Sequence, residues 1–273
     1  MQTPKSILLH IDGTARCVER VQITRQLAES FDAKAMALYS VTPLLLRYPL
    51  AIEGGAMIAG ELAKLDDEYR DQAHSAFQAA SAASPRLTWV ELTDGAPWEF
   101  AQQALYADLM VLGQRDATDE ASAGIPPDFV PNLLIETGRP ALVLPYAGPI
   151  AHIGRNVLVA WKQTREAARA VSTALPWLVR ADHVHVVYYG DSPDLVLQAL
   201  QRYLQTHGVV ATMHCGGPEQ GDAGDALLSL AADLDADMLV MGCYGHSRAR
   251  EWVLGGATRS VLQSMTLPVL MVH

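Results

Sequence analysis

Residues 236–272 read ADMLVMGCYGHSRAREWVLGGATRSVLQSMTLPVLMV, and this is the most informative part of the chain. An apolar run ends at Gly242, and an amphipathic helix begins near Ala257. The loop between them has glycines at positions 242, 245, 255 and 256. A strand, a glycine-rich loop and a helix N-terminus in this order direct unpaired amides and the positive end of the helix dipole at one point. The order predicts an anion site and indicates a nucleotide as its ligand.

The same arrangement of elements occurs twice in the chain. ADLMVLG at 107–113 corresponds to ADMLVMG at 236–242, and SILLHI at 6–11 corresponds to NVLVAW at 156–161. Strands that alternate with helices indicate βαβ units with right-handed crossovers. Because the strands are apolar throughout, helices are expected on both faces of each sheet. The sequence therefore predicts an α/β fold with two tandem doubly wound domains, each a five-stranded parallel sheet.

The boundary between the two halves is expected in residues 145–155, which contain proline and glycine and show no hydrophobic period. This places the domains at 1–147 and 154–273. Thr14 and Thr164 stand where a hydroxyl would cap the first helix of each half.

Composition excludes several classes of function. The chain has 273 residues and a formal charge of −10, which argues against general nucleic-acid binding. No apolar run approaches the roughly 20 residues that span a bilayer. The first residues lack the pattern of a secretory signal, and the three cysteines share no metal-ligand spacing. We expect a cytoplasmic protein with no membrane or nucleic-acid partner.

These residues and their spacing resemble the tandem universal stress protein family over essentially the full length. Nucleotide-binding members of that family carry G-x2-G-x9-G-[S/T] after the fourth strand, and Gly242, Gly245 and Gly255 match it in identity and spacing. The resemblance implies ATP or another adenine nucleotide as ligand and a role in the stress response. It also implies that the final strands of the two halves pair with each other, and that the protein is a possible homodimer.

The sequence departs from the family pattern in both halves. Gly256 replaces the family's Ser/Thr, although Thr258 matches a further hydroxyl position. The acidic residue after the first strand is present as Asp12 in the first half and replaced by Lys162 in the second. The first half keeps only the first motif glycine, in Gly113–Asp116, and has Pro126-Pro127 at the expected phosphate turn, where proline supplies no amide. The first domain is thus expected to have a degenerate nucleotide loop.

Several candidate residues in the second half have an alternative structural role. Lys162 either attracts phosphate or an acidic metabolite or extends into solvent, and Trp161 either stacks on a base or packs in the fold. Arg248 and Arg250 either cover a phosphate or remain solvated. The predicted nucleotide-binding residues are Ala160, Trp161, Lys162, Gly242, Gly245, Arg248, Gly255, Gly256, Ala257 and Thr258.

Two other groups of residues have the chemistry to bind a ligand, but their sequence context favours a structural role. His183 and His185 share one face of a strand, and His214-Cys215 ends another. Zinc needs three or four convergent ligands, so we expect satisfied structural histidines and no metal. Asp12-Gly13-Thr14 would hold a ribose if the first half bound a nucleotide, but a turn with a helix cap is favoured.

Three functions remain open from the sequence. The first is a regulatory protein that binds an adenine nucleotide in its second half. The second is a nucleotide-free interaction module that acts through partner proteins. The third is an enzyme acting on a phosphorylated small molecule, which rests on fold analogy alone. No G-x-S-x-G nucleophile turn or Walker A loop occurs, so enzyme activity is uncertain and would at most be slow ATP hydrolysis.

Overall fold

The computed structural model describes residues 3–50, 55–91, 97–191, 193–217, 221–244 and 256–273. The chain forms two compact units: the first is Pro4–Arg139, and the second is Pro140–His273 together with Thr3. The domain limits 1–147 and 154–273, which refer to the sequence repeat, stay a prediction.

The first unit alternates strands and helices around a parallel sheet with the strand order β3-β2-β1-β4. Its described elements are β1 (Ser6–Ile11), α1 (Cys17–Phe31), β2 (Lys34–Tyr39), α2 (Leu44–Arg47), α3 (Ala56–Ser81), β3 (Leu87–Glu91), α4 (Pro97–Ala104), β4 (Leu109–Gly113), a 3₁₀ helix (Glu120–Gly124) and α5 (Phe129–Thr137).

The second unit has the strand order β5-β10-β9-β6-β7-β8, and all neighbouring strands are parallel except β5 and β10. Its described elements are β5 (Ala141–Leu144), β6 (Asn156–Trp161), α6 (Arg165–Leu178), β7 (His183–Tyr188), α7 (Pro193–Thr206), β8 (Thr212–Cys215), α8 (Ala223–Asp233), β9 (Met238–Gly242), α9 (Gly256–Ser264) and β10 (Val269–Val272).

Burial of the central strands explains why the α/β prediction is confirmed. Ile7, Leu8 and Leu9 are consecutive in β1, so their side chains point to opposite faces of the sheet, yet each is at most 1% exposed. Val157, Leu158 and Val159 of β6 are likewise fully buried. Strands buried on both faces need helices on both sides.

The final strands of the two sequence halves pair with each other, as the family resemblance implies. β5 lies antiparallel to β10, with Val143 opposite Val269 and Ala141 opposite Met271. Both strands are buried along their whole length. None of the helices in the described ranges is both long and apolar enough to cross a membrane.

The predicted helix caps differ between the halves. Thr164 caps α6, because its hydroxyl accepts a hydrogen bond from the Ala167 amide at 3.2 Å. The prediction for Thr14 is wrong: α1 begins after Arg16, which makes no side-chain cap. Because α1 begins only at Cys17, the first amide of the helix donates to the Thr14 carbonyl, and the Thr14 hydroxyl donates to Asp12 Oδ1 at 2.5 Å.

Candidate functional site

The carboxyl ends of β6 and β9 bring four of the predicted residues together. Ala160 pairs with Met241 in the parallel register, so Trp161 and Gly242 follow side by side at the same edge of the sheet. Lys162 comes directly after β6 and is exposed. In open α/β sheets, ligands bind outside the carboxyl ends of the strands.

Gly242 has a packing role that the sequence did not reveal. A Cβ at this position would lie 2.5 Å from the Ala167 nitrogen and 2.6 Å from the Glu166 carbonyl carbon. Both neighbours are backbone atoms in the first turn of α6, so they cannot rotate away. The absence of a side chain lets α6 begin directly against the end of β9.

The indole of Trp161 has an unpaired donor. Its Nε1 atom is buried, and no described residue accepts its hydrogen. A buried donor without a partner costs about 1–3 kcal/mol. An acceptor atom on a ligand at this edge would remove that cost.

The N-terminus of α9 supplies the backbone donors of the site. Gly256, Ala257 and Thr258 form its first turn, and no hydrogen bond joins their amides to another residue that the structure describes. Thr258 is 4% exposed, so its side chain lies mainly against the protein. The predicted residues Gly245, Arg248 and Gly255 lie outside the described residues.

Asp222, which the sequence analysis did not single out, lies beside this helix N-terminus. Its Oδ1 atom accepts a hydrogen bond from the Gly224 amide at 2.7 Å and caps α8. Its Oδ2 atom accepts from the Ser260 hydroxyl at 2.5 Å and would lie 3.6 Å from a Cβ on Gly256.

The Ser260 hydrogen bond, more than any other contact, lowers the pKa of Asp222, so the carboxylate is ionised at neutral pH. A negative charge here partly complements the positive end of α9 and lowers its attraction for phosphate. The cap itself was readable from the sequence around Gly221–Gly224. The contact of Asp222 with Ser260, which lies 38 residues further along the chain, could not be predicted from the sequence.

Glu166 and Cys243 lie close to Gly242 and are both buried, at 2% and 1% exposure. Burial acts to raise the pKa of Glu166, but a hydrogen bond from Arg165 Nε holds it below its ordinary value. Burial, and then the Glu166 charge, raises the pKa of the Cys243 thiol. Cys243 therefore stays protonated at neutral pH and lacks the thiolate that a nucleophile needs.

The corresponding edge of the first half is closed by an internal ion pair. Asp12 is 1% exposed, and its Oδ2 lies 2.6 Å from the Arg20 guanidinium, which reaches over from α1. A Cβ on Gly113 would lie 2.1 Å from the same guanidinium, so Arg20 fills the space beside that glycine. The Asp12 carboxylate is thus engaged by Arg20 and Thr14 rather than free to hold a ribose.

Arg20 was missed, although the sequence contained a signal. It shares the buried face of α1 with Cys17, Val21 and Thr24. A charged residue on the buried face of a helix requires a buried partner. The partner that the structure shows is Asp12, which directly follows β1.

His10 lies next to this ion pair and is neutral. Its ring packs between Phe100 and Phe129, with centroid distances of 5.4 and 4.6 Å, and its Nε2 donates to the Ser40 carbonyl at 2.7 Å. Burial, which outweighs the nearby Asp12 charge, lowers the pKa of His10 to about 4.

In the second unit, His185 Nδ1 lies 3.0 Å from His214 Nε2, so the two rings share a hydrogen bond. Burial, then the charges of His214 and His183, lowers the pKa of His185. Within the described ranges, no three His, Cys, Asp or Glu side chains lie close enough together to hold a metal ion. His185 and His214 are thus hydrogen-bonded to each other, and the expected absence of a metal stays a prediction.

Comparison with known proteins bears on the family and the fold. Residues 154–273 match the universal stress protein family. Universal stress protein Slr1230 from Synechocystis is 42% identical over 50 residues, which are 18% of this chain and 17% of that protein. The chain therefore spans less than a fifth of the length of this curated relative in the match.

Two solved structures cover nearly the whole chain. A universal stress protein from Archaeoglobus fulgidus DSM 4304 superimposes with a TM-score of 0.74 at 15% identity, covering 99% of this chain and 96% of its own. A functionally unknown protein, PA1789 from Pseudomonas aeruginosa PAO1, gives a TM-score of 0.57 at 18% identity, covering 99% and 93%. Residues 154–273 thus form a universal stress protein domain, and the whole chain shares its fold with a solved universal stress protein.

Proposed function

We propose that the second half binds ATP or a related adenine nucleotide at the carboxyl ends of β6 and β9, in a cytoplasmic regulatory protein of the stress response. The first-turn amides of α9, which have no acceptor among the described residues, carry this proposal. Gly256, Ala257 and Thr258 would donate to phosphate oxygens, as free helix N-termini do.

The neighbouring residues support the same ligand. Trp161 offers a buried Nε1–H without a described acceptor, which a polar ligand atom would satisfy. Lys162 adds a positive charge at the end of β6, where the family pattern has an acid. A positive charge here attracts the phosphates of a nucleotide, as the lysine of a Walker A loop does in other proteins.

The chemistry of the described groups favours binding over turnover. Cys243 is buried with a raised pKa, and Glu166 is hydrogen-bonded to Arg165. Neither group is placed to activate a nucleophile. Nucleotide binding would then act by changing the surface that the protein presents to its partners.

The Asp222 carboxylate beside α9 favours a second candidate, a nucleotide-free interaction module acting through partner proteins. Its negative charge stands next to the amides that a phosphate would use. In this alternative, the Asp222 carboxylate occupies the position that a phosphate would otherwise take. Lys162 in place of the family's acidic residue, and Gly256 in place of its Ser/Thr, then indicate a site that no longer binds nucleotide.

Calorimetric titration with Mg-ATP distinguishes the two candidates when it is made on a pair of variants at one position. Gly256→Ala keeps the amide and adds a Cβ whose nearest described neighbour is 3.6 Å away. Gly256→Pro removes the amide at the first helical position, where proline is tolerated. We expect binding by the wild type and by Gly256→Ala, and at least tenfold weaker binding by Gly256→Pro, since a hydrogen bond to a charged group contributes about 1.5–3 kcal/mol.

Absence of any heat with the wild-type protein, or equal affinity of both variants, would reject the nucleotide proposal. Thermal unfolding gives an independent measurement. Saturation at about 100 times the Kd stabilises a protein by about 2.7 kcal/mol. An unchanged melting temperature in millimolar Mg-ATP would favour the interaction module.

A further inference from the structure

The first unit contains a cavity of about 350 Å³ that the nucleotide proposal does not use. It is bounded by the loops after β1 and β2, by α2 and α3, and by the 3₁₀ helix. Its size falls at the small end of ligand pockets, which range over about 300–1,000 Å³. The side chains that matter for recognition are Tyr39, Leu44, Arg47, Asp66, Tyr69 and Ala121.

The groups around this cavity do not fit a phosphate. The Asp12 carboxylate is held by Arg20, and the Leu44 amide already donates to Asp66. The Thr42 amide donates to the Gly124 carbonyl at 2.8 Å. The lining carries one guanidinium, Arg47, against two carboxylates, Asp66 and Glu120. A nucleotide phosphate would meet few free donors and a net negative charge there.

Arg47 and Asp66 are the half-buried charged residues of the lining, whereas Glu120 is exposed to solvent. Among the described residues, both Asp66 oxygens accept only from the Leu44 amide, at 2.9 and 3.2 Å, so each keeps a free lone pair. The Arg47 guanidinium lies over the Tyr48 ring at 5.5 Å, and it takes part in none of the ion pairs between described residues.

The pKa of Asp66 agrees with a partly desolvated carboxylate that lacks a strong partner. Burial raises the pKa of Asp66, and the Leu44 amide and the Arg47 charge only partly oppose that effect. Arg47 is therefore near enough to act on Asp66 electrostatically, but it is not bonded to it. A ligand that reaches both groups would satisfy both charges at once.

The rest of the cavity suits a flat, largely apolar group. Tyr39 and Tyr69 are half-buried, Leu44 is buried, and Ala121 also contributes to the wall. Tyr39 is itself supported from behind by Trp89, with which it stacks at 6.1 Å. Rigid aromatic walls bind another aromatic ring with a gain of about 0.5–1.5 kcal/mol beyond area burial.

We propose that this cavity binds a free α-amino acid with an aromatic side chain. The ligand's carboxylate pairs with the planar Arg47 fork, its ammonium pairs with Asp66, and its ring lies against Tyr39 and Tyr69. A ligand with a single charge would satisfy one protein group and leave the other desolvated and unpaired, which is costly. The zwitterion is therefore preferred over the amine and over the acid.

Calorimetry on the full chain with three related ligands tests this preference. We expect L-phenylalanine to bind, and 2-phenylethylamine and 3-phenylpropionate to bind at least tenfold more weakly, because each loses one charge-assisted contact. No binding of L-phenylalanine at about 10 mM, well above a millimolar Kd, would overturn the proposal. Binding of either singly charged analogue as tight as the amino acid would overturn it as well.

Two variants locate the site. Asp66→Asn is expected to weaken L-phenylalanine at least tenfold and to leave 3-phenylpropionate unchanged, and Arg47→Gln is expected to weaken both at least tenfold. Asp71→Asn and Arg25→Gln are the matched controls, since both residues are charged, neither lines the cavity, and we expect no effect. L-phenylalanine binding that is insensitive to both cavity variants would refute the site. The Mg-ATP titration on the second half is independent, so either proposal can fail alone.

Discussion

Protonation of His10 is expected to destabilise the first unit as the pH falls. The pKa of His10 is about 4 in the folded chain, and the reference value for an exposed histidine is 6.5. Between these two values the unfolded chain binds the proton and the folded chain does not. The neutral His10 ring therefore makes its full contribution to the free energy of unfolding above about pH 6.5, and that contribution is lost as the pH falls toward about 4.

The size of the effect follows from that difference. At about pH 4.5, two units below the unfolded pKa, the free energy of unfolding is lower by roughly 2.5 kcal/mol, since each unit corresponds to about 1.36 kcal/mol. The physical cause is the cost of charging a ring enclosed by Phe100 and Phe129 next to the Arg20 guanidinium. Asp12, whose pKa is lowered, contributes mainly at more acidic pH.

Urea unfolding followed by circular dichroism measures this loss in the free energy of unfolding. The experiment compares the wild type with His10→Gln at about pH 7.5 and about pH 4.5. Glutamine can still donate to the Ser40 carbonyl but does not titrate. We expect the wild type to lose about 2.5 kcal/mol more than the variant between the two pH values. His185→Gln, in the other unit, serves as the control and should keep the His10 effect. Equal pH dependence of wild type and His10→Gln would refute the reasoning.

Three further predictions follow from close contacts. Gly113→Ala should lower the free energy of unfolding by about 3 kcal/mol or more in urea titrations, because its Cβ displaces the Arg20 guanidinium from its buried partner; a loss below about 1 kcal/mol would contradict this. Gly242→Ala should cost about 1–3 kcal/mol, seen as a lower melting temperature, since its Cβ would meet backbone atoms. Asp222→Asn should tighten Mg-ATP binding two- to fivefold by calorimetry. The Asp222 charge would no longer compete with the phosphate for the positive end of α9, and such a charge–dipole interaction contributes about 0.3–1 kcal/mol. Asp225→Asn is its control, and equal affinity of the two would argue against that role.

The sequence predicted the fold well because its signals are local. β1 and β6 were placed at their observed bounds, since runs that are apolar on both faces indicate buried parallel strands. The Thr164 cap was also predictable, because an N-cap depends on the next three residues alone. The pairing of β5 with β10 came from the family resemblance rather than from any local signal.

The site was less predictable because its contacts are tertiary. Thr14 failed as a cap because α1 begins only at Cys17, whose amide donates to the Thr14 carbonyl and not to its hydroxyl. The glycine at 242 was expected to admit a ligand, but the structure shows that it also admits the first turn of α6. Asp222 reaches the N-terminus of α9 only through the packing of α8 on α9, and no spacing in the sequence encodes that distance.

Nucleotide binding at the carboxyl ends of β6 and β9 can be tested by hydrogen exchange of the backbone amides with and without saturating Mg-ATP. Bound nucleotide should slow exchange in peptides that cover the end of β6, at Trp161 and Lys162, and the first turn of α9, at Gly256–Thr258. Peptides covering β1 and α1 should not change, since Arg20 closes the equivalent edge of the first unit. Unchanged exchange in the first turn of α9, or protection confined to the first unit, would contradict nucleotide binding at this site.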